Sequence, residues 1–275
     1  MTGMKFSFTN LGCPAWDLEH MAAKASEYGF DGVELRSHSD SPYMYPNPPL
    51  SYRRHVKDLF NKHNLEISAV SAYSRFADTS EEALDKNRQI LVDDIILARD
   101  LGANVVRSFL GENKNMTHAE ILDAASPYLN YCGDFAAACG VTVAFETHDA
   151  WCGSALMEQV FERITSPGMA ILWDVGNNCF AGEDVHTFYD TVGSRCVHLH
   201  LKDGYVDDKG DIIETLPGDG KVPMKDCLEM LYHSNFGGYV SFEWEKHWHP
   251  ELPEPEVAFP RFMSAVKKIM KELGA

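Results

Sequence analysis

This sequence predicts an α/β fold, a single-domain (β/α)₈ barrel, on three observations. Short apolar runs alternate with longer amphipathic ones from end to end, the pattern of strands joined by crossover helices. Eight such pairs fit within 275 residues, an ordinary length for one closed barrel. No Gly-x-Gly-x-x-Gly turn follows the first strand, where a doubly wound open sheet, the competing architecture, commonly binds phosphate. No linker or low-complexity segment divides the chain, so residues 1–275 read as one domain.

The first strand is Lys5 to Phe8, and an amphipathic helix from Leu18 to Tyr28 stops at Gly29, a residue that ends helices readily. Strand two is Asp31 to Arg36. A Pro-rich stretch from Ser41 to Pro49 is too long for a plain connector and reads as a lid or rim before the helix Tyr52 to His63. Strand three, Leu65 to Ser71, leads to the helix Ser80 to Leu101, whose Ser80-Glu81-Glu82 start suits a helix N-terminus. Strand four is Asn104 to Phe109, with its helix from Thr117 to Cys139. Strand five begins at Val141 and breaks abruptly from apolar residues into Glu146, His148 and Asp149. Helix Ser154 to Ile164, strand six Met169 to Trp173, helix Asp184 to Val192 and strand seven Cys196 to Leu201 follow. The last unit is helix Met224 to His233, strand eight Tyr239 to Phe242, and a closing helix from Glu256 to Leu273.

A formal net charge of −17 repels phosphate backbones and anionic membrane surfaces, and no basic patch offsets it. Lys267, Lys268 and Lys271 read as the solvated face of the last helix. No nucleic-acid or membrane partner is expected. Seven cysteines (Cys13, Cys132, Cys139, Cys152, Cys179, Cys196, Cys227) without a Cys-x-x-Cys pair read as reduced thiols. No apolar signal core opens the chain and no run nears the ~18 apolar residues of a membrane span, so a cytoplasmic location is expected.

In a barrel of this kind the active site forms where the strands end at their C-terminal side. Strand five ends in Glu146 and His148, strand six in Asp174 with Asn177 beyond it, strand seven in His200, Lys202 and Asp203, and strand eight in Glu243. One glutamate at a strand end is ordinarily a cap acceptor or an ion pair, and a lone histidine a packed residue. Four consecutive strands sending a ligand-type residue to one mouth favour a metal. Three carboxylates gathered there would repel by about 4 kcal/mol per pair at roughly 4 Å and an effective dielectric near 20. One divalent ion offsets that. Hard oxygens with one imidazole suit Mn²⁺ first, with Mg²⁺, Co²⁺ or Zn²⁺ as alternatives. Glu243 and Glu245 lie on one strand face, so the pattern alone does not choose between them. Trp16, Tyr73, Trp151, Trp244 and Trp248 are candidate flat walls for a ligand or core residues, and Arg36, Arg107 and Lys202 candidate substrate contacts or structural ion pairs. His247 to Pro253 reads as a rim loop whose histidines lack a third ligand.

Thr9 to Pro14, Gly29 to Arg36, Phe145 to His148, Trp173 to Asn177, His198 to Gly204, Gly218 to Gly220 and Gly237 to Glu243 together resemble the signature segments of the xylose-isomerase-like TIM-barrel superfamily, the sugar phosphate isomerase/epimerases. The resemblance implies the metal ligands Glu146, Asp174, His200 and Glu243, and so prefers Glu243 over Glu245. It implies a carbohydrate substrate and leaves a homodimer or homotetramer as the assembly. In the ketose epimerases of that superfamily the two ligand glutamates also move the proton, one on each substrate face, through an enediolate whose charge the metal stabilises. Here Asn177 stands where those epimerases place a histidine, and Lys202 is the only cation where they place an arginine. A second branch, resembling the dehydroshikimate dehydratases and C-glycoside-cleaving enzymes, uses a histidine two residues after the strand-five glutamate as general base, the place of His148. The expected activity is therefore a metal-dependent sugar isomerase or epimerase with Glu146 and Glu243 as catalytic groups, and the alternative a lyase with His148 as base. An endonuclease of the same superfamily would need further metal-binding histidines and a basic groove. A carbohydrate-binding protein without catalysis would not need the intact ligand set.

Overall fold

The computed structural model describes residues 3–274. Eight parallel strands form one sheet: β1 (Lys5–Phe8), β2 (Gly32–Arg36), β3 (Glu66–Ser71), β4 (Val105–Ser108), β5 (Thr142–Glu146), β6 (Met169–Asp174), β7 (Cys196–Leu201) and β10 (Tyr239–Phe242). Their order is β1-β10-β7-β6-β5-β4-β3-β2, and a single parallel bridge, Thr9 to Glu34, brings β1 and β2 together, so the sheet curls into the expected (β/α)₈ barrel. Around it lie α1 (Leu18–Tyr28), α2 (Leu50–Lys62), α3 (Glu81–Leu101), α4 (His118–Ala138), α5 (Ser154–Arg163), α6 (Val175–Phe180), α7 (Val185–Val192), α8 (Met224–His233) and α9 (Pro255–Leu273). Several starts follow from capping: Asp17, Ser80, Thr117 and Asp184 each accept from a backbone amide of the first turn, and Thr117 and Glu120 form a reciprocal capping box.

Two elements differ from the sequence expectation. Asp174 ends β6 and caps α6 through Asn177 N–H at 2.8 Å, so a short helix leaves the strand without a loop. Between β7 and α8 an antiparallel hairpin, β8 (Asp203–Val206) and β9 (Ile212–Thr215), stands at the barrel mouth. It is tied down at Asp203, whose carboxylate accepts from the amides of Gly204, Gly218, Gly220 and Val222. Glycine is required at Gly204, where an added Cβ would lie 2.5 Å from the Ile213 carbonyl oxygen.

The main apolar core lies between strands and helices. Phe8, Phe242, Phe259 and Phe262 pack α9 across the β1–β10 pair, with Phe242 and Phe262 rings stacked at 4.5 Å. Each buried phenylalanine contributes roughly 1.5–3 kcal/mol. Inside the barrel the floor is a small apolar layer of Ala69, Val105, Ala144 and Leu172. Above it the inward positions turn polar. Register slips at Val33/Glu34 in β2 and at Ile171/Leu172 in β6, irregularities of a kind that re-aim side chains at functional ends. The Pro-rich segment before α2 packs down, with Arg53 donating to the Pro48 carbonyl and Tyr52 to the Tyr43 carbonyl. All seven cysteines are free thiols. No helix among the described residues is long and apolar enough to cross a membrane.

Candidate metal centre and cavity

Glu146, Asp174, His200 and Glu243 converge at the strand ends, all buried, with one ligand-type atom of each within 4.8 Å of the others. The imidazole of His200 is oriented from beneath. Its Nε2 lies 3.1 Å from both oxygens of Glu34, which also faces Nε2 of His198 at 2.9 Å and accepts from Ser71 Oγ at 2.5 Å. His200 Nδ1 is aimed into the cluster, 2.8 Å from Glu146 Oε1 and 3.2 Å from Glu243 Oε1, and with a bound ion a proton kept on Nε2 would satisfy Glu34 and free Nδ1 as a ligand. His200 Nδ1, Glu146 Oε1 and Asp174 Oδ2 are fully buried and make no aligned hydrogen bond, although the Lys202 ammonium lies 3.0 Å from that Asp174 oxygen. Three carboxylates and an imidazole whose ligand-type atoms converge in a dry interior fit a cation between them, and the carboxylate behind the histidine is the usual support of such a ligand.

The charges agree. Five carboxylates (Glu34, Glu146, Asp174, Glu243, Glu245) meet two fixed cations, Arg107 and Lys202. Arg107 donates through Nε at 2.8 Å and through a second nitrogen to the same oxygen of Glu146. Lys202 Nζ sits 3.0 Å from Asp174, 2.8 Å from Glu243 and 2.7 Å from Glu245. Burial works to raise Glu146, but Arg107 and His200 hold its carboxyl down to about 2. Burial pushes Asp174 up to about 7, with the Glu243 and Glu146 carboxylates adding to it against Lys202. His200 is lifted well above its ordinary value because the charges of Glu34 and Glu243 overcome the cost of burying a charged ring. An acid crowd that two cations leave in excess is what a divalent ion would relieve.

Beside the cluster opens a cavity of about 720 Å³ lined by His148, Asn177, Lys202, Glu214, Glu245 and His249, with Phe180, Ile212, Ile213 and Leu252 as its apolar wall. His148 stacks on Phe109 at 4.9 Å and presents Nδ1 3.0 Å from Asp149, which folds back because its own backbone is left-handed, φ 51°. Burial alone would depress this imidazole, yet Asp149 and Glu146 lift it above its ordinary value. Asn177 lies between two strand ends, its Nδ2 donating to the Thr147 carbonyl at 3.2 Å.

Of the candidate substrate contacts, Asn177 and Lys202 line this cavity, and Lys202 and Arg107 are also the counterions of the cluster. Arg36 is engaged elsewhere, with Asp40 at 2.6 Å, Tyr73 Oη at 2.7 Å and the Trp248 ring over it. Trp16 packs on Phe259 and donates to Glu256, and Trp151 is buried with its indole N–H on the Gly111 carbonyl, so neither lines the cavity. Glu243 belongs to the cluster, whereas Glu245 holds the cavity side of Lys202. Two residues went unnoticed in the sequence. Glu34 is an acid at an inward position of β2, legible only once the strand faces are known. Glu214 sits on the hairpin, whose Ile212-Ile213-Glu214-Thr215 run lacks the alternation that marks a strand.

A profile of the family described as xylose isomerase-like TIM barrel matches residues 22–264. The chain is 25% identical over 254 residues to the inosose dehydratase of Mesomycoplasma hyopneumoniae, covering 82% of this chain and 80% of that protein. It is 22% identical over 270 residues to the fructoselysine 3-epimerase of Escherichia coli O157:H7, covering 87% and 90%. The crystal structure of the probable 3-DHS dehydratase from Bacillus anthracis superposes with a TM-score of 0.77 at 17% identity, over 96% of this chain and 99% of that one. Relatives of this kind include both dehydratases and epimerases. Fold, signature segments and profile agree, and the chain belongs to the xylose isomerase-like TIM barrel family.

Proposed function

We propose that this protein is a divalent-metal enzyme that removes a proton next to the carbonyl of a polyhydroxylated carbohydrate and then expels a neighbouring hydroxyl as water. The observation that carries the reading is the placing of His148 on the wall of a cavity that opens beside the four-residue cluster. Glu146, Asp174, His200 and Glu243 would hold the ion, which supplies Lewis-acid stabilisation of the negative charge developing on the carbonyl oxygen. The protein's own residues divide the remaining tasks. A proton on His148 Nδ1, facing Asp149, leaves Nε2 as acceptor for the substrate proton, a step worth about 10²- to 10⁴-fold in rate. Asn177 and Lys202 offer hydrogen bonds to substrate hydroxyls along the same wall.

Isomerisation or epimerisation is the second reading, and the gathering of Glu146 and Glu243 in one cluster favours it. Against it, one oxygen of each glutamate is held by a fixed cation, while the other lies beside the His200 ring. Glu146 faces Arg107 and His200, and Glu243 faces Lys202 and His200. The relatives that are dehydratases and those that are epimerases support one reading each. The test is solvent deuterium exchange into a panel of polyhydroxylated ketones, cyclic and open-chain, with the metal-loaded enzyme. Wild type should exchange the proton beside the carbonyl and release water, and His148→Ala should lose about 10²-fold or more of both. Exchange undiminished in His148→Ala would hand the proton to the glutamates and sink the elimination reading.

A further inference from the structure

Glu214 reaches the cavity from β9, and nothing in the ligand cluster depends on it. Its strand lies antiparallel to β8, opposite Gly204, where the missing side chain lets the Ile213 carbonyl and the Phe180 ring close in and lay the hairpin against α6. One Glu214 oxygen accepts from the Glu245 amide at 3.3 Å, and no cation among the described residues lies within ion-pair distance of it. From the segment just after β10 it faces the carboxylates of Glu245 and Glu243. From the end of β7 it faces Lys202, whose ammonium is already shared among Asp174, Glu243 and Glu245. His148 and Asp149 from the end of β5, and His249 and Glu251 from the segment after β10, complete the titratable groups around the same cavity.

We propose that Glu214 is a catalytic residue, the neutral carboxyl that protonates the hydroxyl leaving from the carbon β to the carbonyl. Burial first, and the Glu245 charge second, push this carboxyl up to about 9, so the proton it would donate is present at neutral pH. An uncharged carboxyl in a partly apolar cavity is a hydrogen-bond donor in a place where the neighbouring acids only accept. The step balances. His148 takes the proton from the α carbon, the electrons of that C–H bond form the carbon–carbon double bond, and the β C–O bond breaks. The O–H bond of Glu214 breaks as its proton joins the departing oxygen, so one water leaves and Glu214 is left as carboxylate. The proton on His148 returns through solvent, and no oxidant or reductant is needed.

This proposal rests on the elimination reading, and the experiment separates the two. Glu214→Gln keeps an acceptor for the Glu245 amide and removes the acid. With the same ketone panel in deuterated buffer, and metal content and melting temperature measured alongside, the variant should continue to exchange the α proton while water loss falls by about 10²-fold or more. Glu214→Asp, which keeps an acid, should recover part of the water loss, and a merely structural role would not give that rescue. Equal loss of exchange and water loss in Glu214→Gln, or no loss of either, overturns the role given to Glu214. Wild-type exchange without water loss across the whole panel overturns the elimination reading instead, and the proposal with it.

Discussion

Asp94, on α3, shows what a single buried carboxyl does away from the cavity. Ser37 Oγ donates to its Oδ1 at 2.6 Å, and Oδ2 has no partner. Burial pushes it up to about 7 from 3.8, with the Ser37 hydrogen bond working the other way. The native state therefore binds this proton more tightly than the unfolded chain. The resulting stabilisation is complete below the ordinary carboxyl range and is lost as pH rises through about 7. At about 1.4 kcal/mol per unit the loss is on the order of 4 kcal/mol. Asp94→Asn keeps an acceptor for Ser37 and removes the titration. Melts should show it more stable than wild type by a few kcal/mol at about pH 8 and close to wild type near pH 4. A gap of constant size across that range would mean that Asp94 does not titrate as argued. At this scale the ligand types were legible in the sequence, because each strand delivers one residue to the mouth and four such residues were acids or histidine. Their partners were not. Arg107 reads equally as a substrate contact or a structural ion pair until the register of β4 on β5 places it beside Glu146.

The eight strands and their flanking helices were legible because periodicity and caps mark them, as Gly29 ends α1 and Ser80 starts α3. The hairpin and α6 were not, since α6 grows directly from a strand end and the hairpin is built on a charged anchor rather than on apolar alternation. That anchor makes the hairpin testable as an element. Asp203 accepts four backbone amides, and hydrogen bonds to a charged group are worth about 1.5–3 kcal/mol each when made and aligned. Asp203→Ala should therefore lower stability by several kcal/mol, and hydrogen exchange should speed up at residues 203–222 ahead of the barrel strands. Uniform loss of protection across the barrel would show that the hairpin is not a separable unit.

Across the whole molecule, a barrel that gathers an excess of acid at one mouth stores repulsion that a bound ion would release. Chelation should lower the melting temperature and abolish turnover, and Mn²⁺ should restore both. Free ion at about 100 times its Kd corresponds to roughly 2.7 kcal/mol of added stability. Calorimetry with and without chelator checks this, and a melting temperature indifferent to the ion would leave the cluster without its proposed occupant. The barrel also divides its labour along the chain. The four converging side chains all lie between residues 146 and 243, and of the groups that set their protonation Lys202 lies among them while Glu34 behind His200 and Arg107 on Glu146 come earlier. Glu34 is moreover the residue that bridges β1 to β2 and draws the barrel shut. During synthesis the carboxylate behind His200 is made before any of the four residues that converge above it. A fragment beginning after Arg107 would carry all four converging residues and lack both the carboxylate behind His200 and the counterion of Glu146.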